Sequence, residues 1–220
     1  MDILTPQHVD RAAELLSDGY LVAVPTARWY MLCARADNPL AVSAIFRAKK
    51  RPADKPLLLV LDTPARAGQL FQLTDDARAL MNGLWPGDLA LHLPWQPGLN
   101  IPTGIGAPAL VSCPEGVLGH LVQTAGAPLA ASAVSISPPH AGPDDRPALT
   151  GADVATFNTC TSAGIAAVID DGICPLAQHM TIVDCPVDAA ARIHRHGTVH
   201  PRAVDAALTT AAVEGDHHVA

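Results

Sequence analysis

Residues 38–61 read NPLAVSAIFRAKKRPADKPLLLVL, from Asn38 to Leu61. Asn38 suits a helix cap, and Val42, Ile45 and Phe46 recur at helical spacing, so 38–48 is expected to be a capped helix with one apolar face. A cationic loop follows, with Lys49, Lys50, Arg51 and Lys55 around Pro52. Pro56 to Leu61 (PLLLVL) is an unbroken apolar run, expected to be a strand buried on both faces. Helix, stiff loop and buried strand in succession are the unit of an α/β domain.

The flanks repeat this alternation. Thr5 to Asp18 is expected to be a helix, with Thr5 as its cap, Pro6 in its first turn and Gly19 ending it. Tyr20–Pro25 reads as a buried strand, 64–71 and 74–84 as helices, and 88–93 as a strand. Residues 116–125 read as a helix before the apolar stretch 128–134. Residues 137–151 form a Pro-rich loop, 152–163 a helix, and 166–170 and 181–184 strands. After Arg202 an Ala-rich segment is expected to be a loosely held helix and tail. The expected organisation is thus one domain over 1–202 and a tail over 203–220.

The chain has 220 residues, 49% hydrophobic and 16% charged, with a net charge of -7. That composition supports a core and excludes a disordered chain. No apolar run approaches the ~20 residues that cross a bilayer, and the first residues lack the pattern of an export signal. A net negative charge excludes a surface that binds nucleic acid everywhere, but not a local basic patch. Five cysteines, none in C-x-x-C spacing, read as reduced and mostly buried thiols of a cytoplasmic protein. Among ten histidines, His194, His196 and His200 invite a metal reading. With no Asp or Glu close in sequence to complete a set, ordinary surface histidines are the preferred reading, and no metal site is assigned.

The three lysines, Lys49, Lys50 and Lys55, are the only ones in the chain and fall within seven positions. Two readings fit. One is a solvated turn, since cations are favoured at helix C-termini in any case. The other is an anion site, with ammonium and guanidinium groups held by a loop stiffened at Pro52 and Pro56.

Ala48-Lys49-Lys50-Arg51-Pro52-Ala53-Asp54-Lys55-Pro56-Leu57 resembles the K-x-R-P-x-x-K/N-P-L motif of the YrdC-like family. That family comprises the threonylcarbamoyl-adenylate synthases of tRNA modification and related domains of carbamoyl transferases. Gly19 to Leu32 is similar to its G-x-x-x-x-x-P-T-D-T-x-Y-G-L, Leu84 to Leu91 to W-P-G-P-L-T-L, and 127–134 to P-L-x-x-x-S-A-N. Thr181–Asp184 and Arg195–Gly197 resemble its S-T-I-V-D and R-x-G. The resemblance implies a twisted mixed sheet flanked by helices around an open basic cavity. It implies ATP, with Mg2+ carried by the nucleotide, together with bicarbonate and an amino acid. The amino acid is carboxylated on nitrogen, the new carboxylate attacks the α-phosphate, and pyrophosphate leaves. Lys49 and Arg51 would be catalytic. Lys49, Arg51, Lys55, Ser132 and Arg195 would bind nucleotide. Thr26, Arg28, Tyr30, Ser132 and Thr181 would bind the substrate.

Several positions depart from the motifs. Ala27 and Arg28 replace the Asp and second Thr of P-T-D-T, Met31 a glycine, Ala90 a threonine, Ser112 an arginine, Val134 an asparagine and Met180 a serine. A register shift of one at the last site would let Thr181 supply the hydroxyl. Each hydrogen bond withheld from a buried substrate group costs about 1–3 kcal/mol, so several would cost roughly ten if they added. The leading expectation is therefore an ATP-dependent enzyme that forms a carbamoyl-type adenylate on an acceptor other than threonine. Threonylcarbamoyl-adenylate synthesis is the first alternative. A non-catalytic protein that binds a small anion or double-stranded RNA is the second.

Overall fold

The computed structural model describes residues 1–142 and 146–215. Its strands are β1 (Asp2–Leu4), β2 (Leu21–Val24), β3 (Met31–Arg35), β4 (Leu57–Val60), β5 (Leu89–Leu93), β6 (Ile105–Ser112), β7 (Leu129–Ala133), β8 (Ile165–Ile169), β9 (Thr181–Asp184) and β10 (Arg192–Arg195). Its α-helices are α1 (Val9–Ser17), α2 (Pro39–Lys49), α3 (Pro64–Leu70), α4 (Asp75–Leu84), α5 (Gly116–Ala125), α6 (Gly151–Thr161) and α7 (Pro201–Gly215). Among the described residues all strands join one sheet, in the order β1-β8-β2-β3-β7-β4-β6-β5-β9-β10. The sheet is mixed: β4 runs parallel to β6 and antiparallel to β7.

Local chemistry accounts for most boundaries. The Asn38 side chain accepts from the backbone N–H of Leu40 and Ala41, which caps α2 as expected. Lys50 ends that helix in the left-handed region, at φ 49°. The expected helix over 5–18 is divided, with a 3-10 turn at Pro6–His8 before α1. Thr5 does not cap through its hydroxyl, which pairs with His8 Nδ1 at 2.9 Å instead. Part of the expected Pro-rich loop, residues 143–145, lies outside the described residues. The segment after Arg202 is helical and docked rather than loose: Val204 is buried in the core, and Ala207 and Leu208 pack against it. The end of the expected tail, 216–220, lies outside the described residues.

The sheet buries both faces, and period-2 alternation sorts the side chains between them. Tyr30, Leu32, Leu57, Leu59 and Leu91 pack on the side of α2, α4 and α7. Met31, Leu58, Ala90, Ala131 and Ile182 pack on the side of α1 and α5. Burial pushes the thiols of Cys33, Cys113 and Cys185 up, to about 12, 11 and 12. They are therefore protonated fillers of the core, as the reduced-thiol reading expects. No described helix is long and apolar enough to cross a membrane.

Gly197 lies against the backbone that enters β9. A Cβ there would overlap His179 O, Met180 C and Thr181 N. Gly197→Ala is therefore expected to cost about 1–3 kcal/mol, read as a lower urea midpoint with an unchanged slope. An unchanged midpoint would show that β9 can retreat without loss.

Candidate functional site

Four cations converge on one cavity of about 250 Å³. It is lined by Arg28, Lys49, Arg51 and Arg195, with Ser132, Ser135, Ser137 and His179 beside them and Trp29, Met31 and Met180 as apolar wall. The elements explain the convergence. Arg28 sits on the turn between β2 and β3, Lys49 ends α2, Arg51 follows it, Ser132 lies on β7 and Arg195 ends β10.

Lys49 is 2% exposed. Its ammonium donates to the carbonyls of Ala133 and Ser135, the latter at 2.5 Å, and lies 3.5 Å from Ser135 Oγ. Its own carbonyl accepts from Ser137 N–H at 2.8 Å. Burial, and then the charge of Arg51, pull its pKa down from 10.5 to about 7. Arg51 closes its own loop, donating from Nε to Lys55 O (2.8 Å) and from Nη2 to Pro56 O (2.7 Å). Burial lowers its pKa as well. Arg195 donates through Nε and Nη2 to Met180 O, at 3.2 and 3.0 Å. Burial and the nearby Arg28 lower its pKa.

Arg28 is 3% exposed. Its Nε donates to Asp88 Oδ1 at 2.9 Å, and its guanidinium carbon lies 5.8 Å from the Trp29 ring centre. Beyond it lies a second cavity of about 430 Å³, lined by Thr26, Asp88, Glu115, Asp171 and Cys174 among others. The Arg28–Asp88 pair thus borders a cationic hollow and an acidic one.

Not every expected residue reaches the cationic cavity. Of the three lysines only Lys49 lines it. Lys55 is exposed on the rim, donating to Pro138 O at 3.0 Å, and Lys50 is exposed. Thr26 lines the second cavity, and its hydroxyl knits the turn: it donates to Trp29 O at 2.7 Å and accepts from the N–H groups of Arg28 and Trp29. Tyr30 is fully buried on the opposite face, donating to Asp170 Oδ1 at 3.0 Å and Gly172 O at 2.9 Å. Burial, aided by Asp170, pushes its hydroxyl well above the ordinary range. Thr181 is also buried. Its hydroxyl donates to Val199 O at 2.9 Å and accepts from Val199 N–H at 3.0 Å. Met180, not Thr181, lines the cavity.

The structure adds two residues the sequence reading missed. Asp88 pairs with Arg28. His179 meets Trp29 edge-on, with ring centres 4.9 Å apart. Burial, then the charges of Arg195 and Arg28, hold its imidazole below the ordinary histidine range. Its place directly before Met180 was the available signal. Ser112, expected to replace an arginine, is fully buried, and its Oγ is the one buried side-chain polar atom without a partner among the described residues.

The Sua5/YciO/YrdC family model, described as "Telomere recombination", matches residues 14–197. The threonylcarbamoyl-AMP synthase of Bacillus subtilis (strain 168) is 30% identical over 207 residues, covering 91% of this chain and 56% of that protein. Sua5 of Pyrococcus abyssi, solved in complex with L-threonine, matches with a TM-score of 0.80 at 25% identity, over 94% of this chain and 61% of that one. E. coli YciO, 15% identical, shares the fold with a TM-score of 0.72, over 92% of this chain and 98% of its own. The chain thus spans somewhat more than half the length of its B. subtilis and P. abyssi relatives.

The buried ammonium makes stability depend on pH. Because the Lys49 pKa falls from 10.5 to about 7 on folding, the unfolded chain binds more protons between these values. Stability therefore carries the full penalty below about pH 7 and rises with pH through that window. In Lys49→Met, the slope of unfolding free energy between about pH 7.5 and 9.5 is expected to fall by up to ~1.4 kcal/mol per pH unit, measured by urea unfolding. Equal slopes in the two proteins would refute a depressed Lys49.

Proposed function

The chain belongs to the Sua5/YciO/YrdC family, and from that premise we propose that it makes L-threonylcarbamoyl-adenylate from ATP, bicarbonate and L-threonine, the adenylate that serves tRNA modification. The observation that carries the reading is Lys49, Arg51, Arg195 and Arg28 lining one cavity, in a chain whose relatives include proteins named threonylcarbamoyl-AMP synthase. The P. abyssi Sua5 complex with L-threonine supports the choice of amino acid. The expectation of a different acceptor yields to this alternative as the main reading.

The chemistry asks the protein to hold two anions together. Threonine nitrogen gains the carboxyl of bicarbonate with loss of water. A carbamate oxygen then bonds to the α-phosphorus as the bond to the bridging oxygen of pyrophosphate breaks. Charge develops on phosphate oxygens, and fixed cations in a poorly solvated site stabilise it without reorganising. Lys49 and Arg51 are fixed in advance by carbonyl contacts, and the Ser132 hydroxyl is available to the nucleotide or acyl group. Mg2+ would arrive on the triphosphate, because no described carboxylate lines the cationic cavity. A polyanion beside Lys49 also raises its pKa, so nucleotide binding above pH 7 takes up a proton.

A second reading, the same reaction on another acceptor, is favoured by one observation. Arg28 brings a guanidinium to the wall beside the apolar Trp29, Met31 and Met180. Both readings meet in one experiment. With ATP and bicarbonate present, pyrophosphate release is expected with L-threonine and is expected to fall at least ~100-fold in Arg51→Ala. Release with another amino acid but not threonine would select the second reading. No release with any amino acid, together with no nucleotide binding by calorimetry, would overturn both.

A further inference from the structure

A second cluster of ligating side chains lies on the same sheet face, three strands from the cationic wall of β7. His92 on β5 and Asp184 on β9 are register partners, so their side chains project side by side. On β10 the pairing shifts between Ile193 and Arg195, leaving His194 as the extra residue of a bulge. The bulge aims its imidazole back at Asp184, the kind of re-aiming that bulges near sites perform. His92 Nδ1 lies 2.6 Å from Asp184 Oδ1, and His194 Nδ1 lies 3.3 Å from both carboxylate oxygens. The two rings meet edge-on, with centres 5.0 Å apart. One ligand atom from each of the three residues falls within 4.8 Å of the others. The sequence reading found no acidic residue near His194, because its partner comes from a neighbouring strand.

We propose that His92, Asp184 and His194 form a binding site for one divalent transition-metal ion, zinc by ligand preference. Two imidazoles and a carboxylate are a borderline-soft set of the kind zinc accepts, and three protein ligands leave a fourth position for water or a ligand. Tetrahedral bonds of 2.0–2.1 Å place ligand atoms about 3.4 Å apart. The His194–Asp184 separation already has that value, and the His92–Asp184 separation needs to widen by less than about 1 Å. Arg192 does not block the site. Its Nε donates to Oδ2, the oxygen that His92 does not use, at 3.1 Å, from a side chain that is 77% exposed. The vacant position would open into a cavity of about 1340 Å³, whose walls include Trp95, Ile101 and Val187. Pro56 lines both this cavity and the cationic one. The site therefore adjoins the proposed reaction centre without sharing a charged residue with it, and it stands or falls independently of the proposed activity.

The test is calorimetric titration of the chelator-dialysed full chain with Zn2+, supported by the visible absorption of Co2+ at the same site. One ion per chain and a four-coordinate cobalt spectrum are expected. His194→Gln, at a half-exposed position, should retain the thermal midpoint of the apo protein. Its affinity should fall by more than the roughly 10- to 100-fold that losing an outer-shell partner costs. Asp184→Asn should do the same. Cys160→Ser, and the double change His217→Ala with His218→Ala, should leave affinity unchanged. No binding would overturn the proposal. So would binding that survives His194→Gln and Asp184→Asn, or that disappears with the thiol or the tail histidines.

Discussion

The cationic hollow depends on one buried ammonium. Lys49 comes from the end of α2, a helix that packs on the opposite side of the sheet, yet its Nζ is held by the carbonyls of Ala133 and Ser135 where β7 ends. Its main-chain carbonyl takes the Ser137 N–H, so one residue fastens segment 133–137 through both side chain and backbone. The left-handed Lys50 then turns the chain into the Arg51 loop, which Arg51 closes on itself. Burying the ammonium works against folding at neutral pH, as its depressed pKa shows. On the proposed reading, what the protein gains is a wall of positive charge already in place before an anion arrives, which is where electrostatic catalysis draws its advantage.

The alternation of the strands decides which neighbours that wall receives. Met31, Leu58, Ala131 and Ile182 face the cavity. Their immediate neighbours Tyr30, Leu57, Ala130 and Val183 face the other layer. Two hydroxyls that family resemblance assigns to the substrate, Tyr30 and Thr181, fall on residues of the wrong parity and are consumed by Asp170, Gly172 and Val199. The same parity carries Ala90 and His92, and Met180, Ile182 and Asp184, along one face. The second cluster thus lies on the same sheet face as the first, in a separate cavity that shares Pro56 with it.

Much of the fold was legible because its buried elements announce themselves. PLLLVL, the capped helix before it and the apolar turns of α4 and α5 all became the expected elements. Among the strands that escaped notice, β6 and β10 lack that signature. β6 contains Pro108 and Gly106 inside its run, which pattern reading treats as interruptions. β10 reads RIHR and sits at the sheet edge, half in water, where no apolar period exists. Of the site, the charged residues were legible from their clustering and from motif resemblance. The errors at Tyr30 and Thr181 came from carrying over residue type without applying the period-2 rule, which places each beside a cavity-facing neighbour. Asp88, His179 and the acidic partner of His194 depend on contacts between distant strands, and no local pattern encodes those.

Arg28 and Ser112 stand at two positions where the motif resemblance expects other residues. Where the family motif carries an arginine, Ser112 is sealed in the sheet with an unpartnered hydroxyl. Where the motif carries a threonine, Arg28 supplies a guanidinium to the cavity. The exchange is not neutral in its effects. Arg28 is tied to Asp88, which offsets part of its charge on the acidic side, yet its field still depresses both Arg195 and His179. An anion held between Arg28 and Arg195 would relieve that repulsion and gain from both. On the proposed reading, the cavity still meets an anion with cations, in a geometry that Arg28 alters.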